Sequence, residues 1–166
     1  MSRARHWVCA AVLTGVVAGC GSNAPEETGG GETMNQDEAA ENVQEHIDKA
    51  VNVLPETLEL QPVGGVNVAA CDDPTDGGPE GRVTVGRSYW LDGLPVEDNE
   101  ANIDLLTEYW AANGYRVLTD SRPDDVFVSV ENQEDAFRMS VQASVEGHLS
   151  IGASSPCVWP EGAPDS

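Results

Sequence analysis

An apolar stripe in an otherwise polar segment predicts the first helix of the chain. Its members recur at intervals of four, four and three residues, with alanines beside them: Val43, Ile47, Val51 and Leu54, flanked by Ala39 and Ala50. This spacing places one narrow apolar face on an amphipathic helix, which must pack against another layer. Residues 33–36 fit a capping box, Asn35 or Asp37 could also cap this helix, and Pro55 stops or kinks its far end.

A second helix is predicted from signals at both of its ends. Its apolar positions are Ile103, Leu106 and Trp110. Asp98 or Asn99 precedes them as a cap, and Gly114 stands where a C′ glycine belongs. We therefore expect a helix that begins near Asp98 and ends just before Gly114.

Six strands are predicted, the first by a short apolar run that ends before Cys71 and the others by alternation. The first covers residues 66–70 and the second residues 82–91, where Arg87 interrupts the apolar set and indicates a bulge or an edge strand. The sequence Glu146-Gly147 predicts a two-residue hairpin turn. The remaining strands are expected at residues 115–120, 126–130, 137–145 and 149–153.

Together these elements predict a single α+β domain. Their order is α-β-β-α-β-β-β-β, and consecutive strands joined by short turns form an antiparallel meander. We expect a curved antiparallel sheet of five to six strands with two helices packed on one face. The domain is expected to span residues 37–160, with a disordered tail over residues 161–166.

The N-terminal segment has the pattern of a lipoprotein signal peptide. Arg3 and Arg5 precede an apolar stretch, and small residues lead to a cysteine in the sequence Val17-Ala18-Gly19-Cys20. Such features are typical of a signal that is cleaved before a lipid-modified cysteine. We expect removal of residues 1–19 and attachment of acyl chains such as palmitate at Cys20. A chance apolar N-terminus or an uncleaved membrane anchor is the alternative, although the stretch is short for a spanning helix.

Lipidation would place the domain at a membrane surface. Two acyl chains hold a protein far more firmly than one. Residues 20–36 comprise the lipidated cysteine and a Gly- and Glu-rich stretch without apolar periodicity, which predicts a flexible tether. The expected location is therefore the extracytoplasmic face of the cell membrane, with the domain outside the hydrocarbon.

The composition is strongly acidic. Eight Lys and Arg residues face 29 Asp and Glu residues, for a formal net charge of −21. Removal of residues 1–19 would leave six basic and 29 acidic residues, or −23. Such a charge repels nucleic acid and favours solubility and basic partners. Nucleic-acid binding is therefore excluded as a function.

Two cysteines remain once Cys9 leaves with the signal peptide and Cys20 carries lipid. In an oxidising compartment the pair Cys71 and Cys157 is expected to be bridged. For a loop of this length, the chain-entropy treatment gives about 4.5 kcal/mol of stabilisation. Zinc binding is the alternative, but two cysteines without neighbouring Cys or His residues supply too few ligands.

The acidic loop after Cys71 raises the question of calcium. Asp72, Asp76 and Gly77 match three positions of an EF-hand loop. Pro74 and Val83 stand where that loop requires oxygen ligands. A turn-rich acidic loop is therefore favoured over a calcium site for residues 72–80, and no metal or cofactor is expected.

No recognised catalytic motif is present in the chain. His46 is expected at a polar position of the first helix, and His148 on the polar side of its strand. Neither has a patterned Ser, Cys or carboxylate partner of the kind that nucleophilic catalysis requires. We therefore predict no catalytic residue and no enzymatic activity.

The sheet face away from the helices is the candidate binding surface. Alternation places small polar side chains there, together with one tryptophan and two arginines. Trp90 is the natural anchor because it is large and amphipathic. Ordinary solvation of an antiparallel sheet is the alternative. The candidate binding residues are Trp90, Arg82, Arg138, Gln142 and His148.

The order of elements resembles the small actinobacterial envelope lipoproteins of the mycobacterial LppA type. The resemblance is carried by the lipobox, by the helix ending at Pro55, and by Asn113-Gly114-Tyr115, Phe137-Arg138-Met139 and Ser155-Pro156-Cys157. It implies an envelope lipoprotein anchored at Cys20 with Cys71 paired to Cys157, and it implies no catalytic residues. The acidic loop after Cys71 has no counterpart in it.

The sequence therefore favours a non-enzymatic lipoprotein that holds a binding or scaffold module at the membrane. Its expected partners are the membrane, through the lipid anchor, and a protein, peptide or glycan of the cell envelope. We expect the chain to be a monomer. The alternative is an envelope hydrolase or transferase whose site is assembled from residues distant in sequence, and a water-excluding pocket around His148 or a carboxylate cluster would favour it.

Overall fold

The structure is a computed structural model that describes residues 32–71 and 79–164. The predicted signal peptide, the lipidation site Cys20 and loop residues 72–78 lie outside the described residues. Within the described ranges, two α-helices, one 3-10 turn and seven strands follow in chain order: α1 (Gln36–Val51), β1 (Glu59–Pro62), β2 (Asn67–Ala70), β3 (Val83–Asp92), a 3-10 turn (Val96–Asp98), α2 (Asn99–Ala112), β4 (Tyr115–Asp120), β5 (Phe127–Asn132), β6 (Arg138–Ala143) and β7 (Leu149–Ser154).

All seven strands form one antiparallel sheet in the order β1-β3-β7-β6-β5-β4. β2 follows β1 along the same edge of β3: β1 pairs with residues 89–92 of β3 and β2 pairs with residues 83–86. The predicted α+β class and the C-terminal meander are confirmed, but the sheet has one more strand than the upper prediction. The additional strand is β1, which is four residues long, ends in a proline and has only Leu60 partly buried, so it carries almost no alternation.

Both helices pack on one face of the sheet, as predicted. α1 crosses β3 and β7, and α2 lies beside α1 and β4. The stripe of α1 is confirmed, because Ala39, Val43, Ile47 and Ala50 are fully buried. The largest fully buried side chains between the layers are Trp110, Phe137, Ile47, Ile103, Leu106, Met139 and Ile151.

The ends of the helices follow the sequence signals in part. At α1, the Asn35 side chain accepts a hydrogen bond from the Glu38 amide at 2.9 Å, and the Glu38 carboxylate accepts one from the Asn35 amide at 2.9 Å. This reciprocal pair is a capping box, which satisfies two of the amides that a helix start leaves unpaired. The capping box predicted over residues 33–36 is therefore wrong, and the alternative cap Asn35 is confirmed. At α2, Asp98 holds the cap position without a side-chain hydrogen bond. Gly114 follows the helix with φ of 80°, as the predicted C′ glycine requires.

Arg87 does not mark a bulge or an edge, so that prediction is wrong. β3 is paired on both sides, and Arg87 stays in register opposite Ala153. Its Nη1 donates to Gln44 Oε1 of α1 at 2.7 Å, and the Tyr89 hydroxyl donates to the same oxygen at 2.5 Å. A polar partner on the facing helix allows an arginine at a helix-facing position of a central strand.

The hairpin between β6 and β7 is longer than predicted. The Ser144 amide donates to the His148 carbonyl at 2.8 Å, and the Gly147 amide donates to the Ser144 carbonyl at 2.9 Å. Residues 145–147 thus form a three-residue loop with Gly147 at φ of 89°. Val145, predicted within a strand, lies fully exposed at the loop tip.

The two ends of the described chain are joined to each other and to the sheet. The predicted disulfide between Cys71 and Cys157 is present, with a Cα–Cα distance of 5.8 Å. The Thr33 amide donates to the Gly162 carbonyl at 2.9 Å, and the Trp159 amide donates to the Thr33 hydroxyl at 2.8 Å. The predicted domain boundaries after residues 36 and 160 therefore fall inside a hydrogen-bonded region. Within residues 32–71 and 79–164, no helix combines the length and the apolar character needed to cross a membrane.

Candidate ligand-binding trough

Strand register organises the outer face, meaning the side of the sheet away from the helices, into three rows that cross four or five strands. The arginine row contains Arg116, Glu131, Arg138, Ser154 and Gly86. The serine row contains Ser129, Ser140, Gly152 and Ser88. The aromatic row contains Phe127, Gln142, Ser150 and Trp90. Because side chains alternate between faces, each row lies two residues along every strand from the next.

The serine row forms the floor of an open cavity of about 490 Å³. Its small side chains leave space above the central strands, while larger side chains stand on both sides. Val63 rises on one side from the connection between β1 and β2, and Leu118 and Phe127 rise on the other. Among the glycines that line this cavity, Gly152 leaves the least room for a side chain, because an added Cβ would lie 2.9 Å from the Ser88 hydroxyl.

Three further cavities extend this space along the strands. One of about 140 Å³ reaches Trp90 and Gln142, and a further one of about 290 Å³ joins Trp90 to Asp92, Glu146 and His148. At the opposite end, a cavity of about 530 Å³ shares Arg138 and Ser154 with the central one and reaches the disulfide. Neighbouring cavities share lining residues, so we treat them as one depression and call it the trough.

The hydroxyls of the floor are not used by the fold. The floor serines Ser88, Ser129 and Ser140, and also Ser154 of the arginine row, make no side-chain hydrogen bond to another residue of the described ranges. The backbone beneath them is occupied, because β3, β7, β6 and β5 are each paired on both sides. The polar groups available to a ligand in the centre of the trough are therefore side-chain hydroxyls.

The arginine row carries a fixed charge pattern. Arg116 Nη2 lies 2.6 Å from Glu131 Oε1, and Arg138 Nε lies 2.9 Å from Glu131 Oε2. Hydrogen bonds from Arg116 and Arg138 hold the pKa of Glu131 below its ordinary value. The three groups together carry one net positive charge at neutral pH. Arg138 faces the trough with its terminal nitrogens unpaired among the described residues and 64% of its side chain exposed.

Four of the five predicted binding residues line the trough. Arg138 lies in the arginine row, Trp90 and Gln142 in the aromatic row, and His148 at the far end. Arg82 does not join them: it precedes β3, is partly buried, and donates from Nε to the Pro79 carbonyl at 3.1 Å. This hydrogen bond holds Arg82 against the chain segment that precedes β3, away from the trough.

Several lining residues were not predicted from the sequence. Phe127 could have been predicted most readily, because an apolar residue at an outward-facing position of a strand indicates an apolar side chain on the outer face. Gly86 and Gly152 could also have been recognised as small residues at outward positions. No sequence pattern indicates that Val63 and Leu118 line the trough. The position of Val63 depends on the β1–β2 connection, and that of Leu118 depends on the irregular register between β4 and β5.

His46 is the second polar site that the structure assembles, and it lies on the helix side of the sheet. The prediction of a polar helix position is wrong, because His46 is buried, with 9% exposure. Its Nδ1 lies 2.5 Å from the Tyr115 hydroxyl and its Nε2 lies 3.1 Å from Asp135 Oδ2. Burial raises the pKa of Tyr115 to about 12, so the phenol remains protonated and is a poor nucleophile at neutral pH.

The described residues hold no group of three or more His, Cys, Asp or Glu side chains placed to bind a metal ion. Asp72 and Asp76, which were considered and disfavoured as calcium ligands, lie outside the described ranges. His148, Asp92 and Glu146 are all exposed to solvent, so the end of the trough that contains them does not exclude water. Comparison of the chain with protein-family models, curated proteins and solved structures finds no match.

Proposed function

We propose that this chain is a membrane-anchored extracytoplasmic lipoprotein that acts as a non-enzymatic binding module, and that the trough is its binding site. The observation that carries the binding role is the concave outer face. An open cavity of about 490 Å³ is floored by small residues and walled by Val63, Leu118 and Phe127. Its volume is within the range of small-ligand sites, and serine hydroxyls and the Arg138 guanidinium line it together with the apolar walls.

The anchoring role rests on the N-terminal sequence. The lipobox ending at Cys20 follows a basic start and a short apolar stretch. The disulfide supports the same compartment, because such bonds persist in oxidising environments outside the cytosol. The resemblance of the sequence to actinobacterial envelope lipoproteins also supports a lipid anchor at Cys20.

An envelope hydrolase or transferase is the alternative. It would need a nucleophile within hydrogen-bond reach of a base. Within the described ranges, the floor hydroxyls of the trough have no imidazole or carboxylate partner, and Ser144 accepts only the backbone amide of His148. These observations favour binding without turnover.

The binding role is tested with the full chain purified in detergent. Calorimetry would measure its affinity for a panel of amino acids, peptides of two to six residues, and oligosaccharides. Ser140→Phe places a ring at the centre of the serine row, and Ala111→Phe adds the same ring on the exposed surface of α2. We expect a ligand from the panel to bind the wild type and Ala111→Phe, and to bind Ser140→Phe at least tenfold more weakly. Absence of any ligand, or equal binding by Ser140→Phe, would overturn the proposal.

Two further measurements separate the remaining parts of the proposal. Incubation of the bound ligand with the wild type, followed by mass spectrometry, distinguishes binding from turnover, and a protein-dependent product would establish the enzyme alternative. Cells grown with a palmitate analogue should incorporate it into the wild type and not into Cys20→Ser. Equal incorporation into both would remove the anchor at Cys20.

A further inference from the structure

We propose that the trough binds a short extended peptide, with the peptide carboxylate at Arg138 and an ammonium group at Asp92 and Glu146. This inference rests on the proposed function and specifies its ligand. It combines three independent properties of the trough: the charges at its two ends, its length along the strands, and the chemistry of its floor and walls.

The two ends of the trough carry opposite charge. At one end, the arginine row has one net positive charge, and Arg138 presents unpaired guanidinium nitrogens within the described structure. At the other end, Asp92 and Glu146 line the cavity beside Trp90, and Glu59 of β1 is the register partner of Asp92. A guanidinium fits a carboxylate well, and carboxylates attract an ammonium group. The charges therefore favour a ligand with an anionic and a cationic end.

The positive charge at the Arg138 end of the trough is opposite in sign to the net charge of the whole protein. The chain carries −21 overall, yet the central cavity is lined by two arginines and no carboxylate. Of these arginines, Arg87 extends toward α1 and Arg138 extends outward. In a strongly acidic protein an anionic group would find few other positions where the local potential is favourable.

The distance between the charged ends matches a short peptide. Arg138 pairs with Ser154, whereas the register of β3 and β7 places Asp92 at the level of His148. Ser154 and His148 lie roughly six residue steps apart, or about 20 Å at 3.3 Å per step. A fully extended peptide gains about the same distance per residue. A ligand of about six residues would therefore reach from one charged end to the other.

The floor and walls suit a peptide backbone with small or apolar side chains. The strands below the trough are fully paired, so a ligand cannot be added as a further strand in the centre of the sheet. Instead, the hydroxyls of the serine row can donate to peptide carbonyls and accept from peptide amides. Val63, Leu118 and Phe127 offer apolar contacts to side chains. A neutral glycan would use the hydroxyls but neither charged end, which is why we favour a peptide.

The experiment uses the detergent-purified full chain and a library of randomised hexapeptides. The library is prepared in four forms: both ends free, the C-terminus amidated, the N-terminus acetylated, and both ends blocked. Bound members are identified by affinity selection with mass spectrometry, and their affinities are then measured by calorimetry. For the wild type, we expect the free-ended form to bind about two- to fivefold more tightly than either singly blocked form, since exposed charge pairs contribute modestly.

Three variants assign each end of the peptide. Arg138→Gln should abolish the preference for a free carboxylate, and Asp92→Asn combined with Glu146→Gln should abolish only the preference for a free amine. Lys49→Gln is the matched control, because Lys49 is a similarly exposed cation that also pairs with a carboxylate, Glu45, but lies on α1 and does not line the trough. It should retain both preferences. Equal binding of free and blocked peptides by the wild type, or loss of the carboxylate preference in Lys49→Gln, would overturn the assignment.

The outcomes also separate this inference from the proposed function. If no hexapeptide binds but an oligosaccharide binds the wild type and not Ser140→Phe, the peptide assignment fails and the binding role stands. If neither class binds the wild type, both proposals fail.

Discussion

His46 Nδ1 lies 2.5 Å from the hydroxyl of Tyr115, and its Nε2 lies 3.1 Å from Asp135 Oδ2. The imidazole also stacks on Phe137 with ring centroids 4.7 Å apart. Both nitrogens are satisfied when Nε2–H donates to Asp135 and the Tyr115 hydroxyl donates to Nδ1. One side chain of α1 thereby contacts the start of β4 and the turn between β5 and β6, which the sequence separates widely.

Removal of the Tyr115 hydroxyl should destabilise the fold. In Tyr115→Phe, the buried Nδ1 of His46 loses its donor, and an unsatisfied buried polar group costs about 1–3 kcal/mol. Urea unfolding at pH 7 would measure the loss. Tyr109→Phe is the control, because the Tyr109 hydroxyl makes no hydrogen bond within the described residues and should cost less. Equal losses in the two variants would contradict this account of the His46 contact.

The same tyrosine should make the protein less stable in alkali. Burial raises the pKa of Tyr115 from 10 to about 12 in the folded state. Between these values the unfolded chain loses the phenolic proton while the folded protein retains it, so this contribution to stability is complete below pH 10 and declines as the pH rises toward 12. Two pKa units correspond to about 2–3 kcal/mol. The free-energy difference between wild type and Tyr115→Phe should shrink over this range, and a constant difference would show that the phenol is not perturbed.

The main elements of the fold could be predicted because local patterns determine them. The stripe of α1, the apolar positions of α2 and the alternation of β5 to β7 each reflect one buried face. β1 could not be found, because a four-residue edge strand buries too little to produce alternation. The predictions for His46 and Arg87 were wrong for a different reason. Each polar side chain lies on the helix side of the sheet because it forms hydrogen bonds with residues of other elements, and no local sequence pattern indicates those partners.

Only the part of the candidate site that follows from strand alternation could be predicted from the sequence. Alternation alone placed Trp90, Arg138 and Gln142 on the outer face. It did not reveal that this face is concave. The concavity arises from the small residues of the serine row together with walls from Val63 and Leu118, and those walls depend on a loop and an irregular edge pairing.

Two glycines with similar backbone angles should respond very differently to alanine. Gly93 and Gly114 have φ of 82° and 80°, where an L-residue costs about 1–2 kcal/mol. A Cβ at Gly114 would meet nothing within 4 Å, whereas a Cβ at Gly93 would overlap the Thr57 carbonyl oxygen. We therefore expect Gly114→Ala to lose about 1 kcal/mol and Gly93→Ala to lose at least about 3 kcal/mol in urea unfolding. Similar losses would mean that the chain around Thr57 moves aside.

The disulfide should account for a large share of the stability. Cys71 and Cys157 are 86 residues apart in sequence, and the chain-entropy treatment gives about 4.5 kcal/mol for such a loop. The double variant Cys71→Ser, Cys157→Ser should unfold at a much lower urea concentration than the oxidised wild type. Reduced wild type serves as the control and should match the variant. Thiol labelling of the unfolded, unreduced protein should modify neither cysteine, and two labelled cysteines would show that the bond does not form.

Glu131 should stabilise the fold only while it is ionised. It accepts hydrogen bonds from Arg116 and Arg138, which hold its pKa below the ordinary value of 4.5, and its side chain is only 13% exposed. A lowered folded-state pKa means that this contribution is present above about pH 4.5 and is lost as the pH falls below it. Glu131→Gln should therefore lose about 1 kcal/mol at pH 7, because both arginines are largely exposed, and almost nothing at pH 3. Urea unfolding at both pH values measures the difference. Arg116→Gln, which leaves the Arg138 pair intact, should show a smaller loss with the same pH dependence, and a loss in Glu131→Gln that does not change with pH would exclude the ionic contribution.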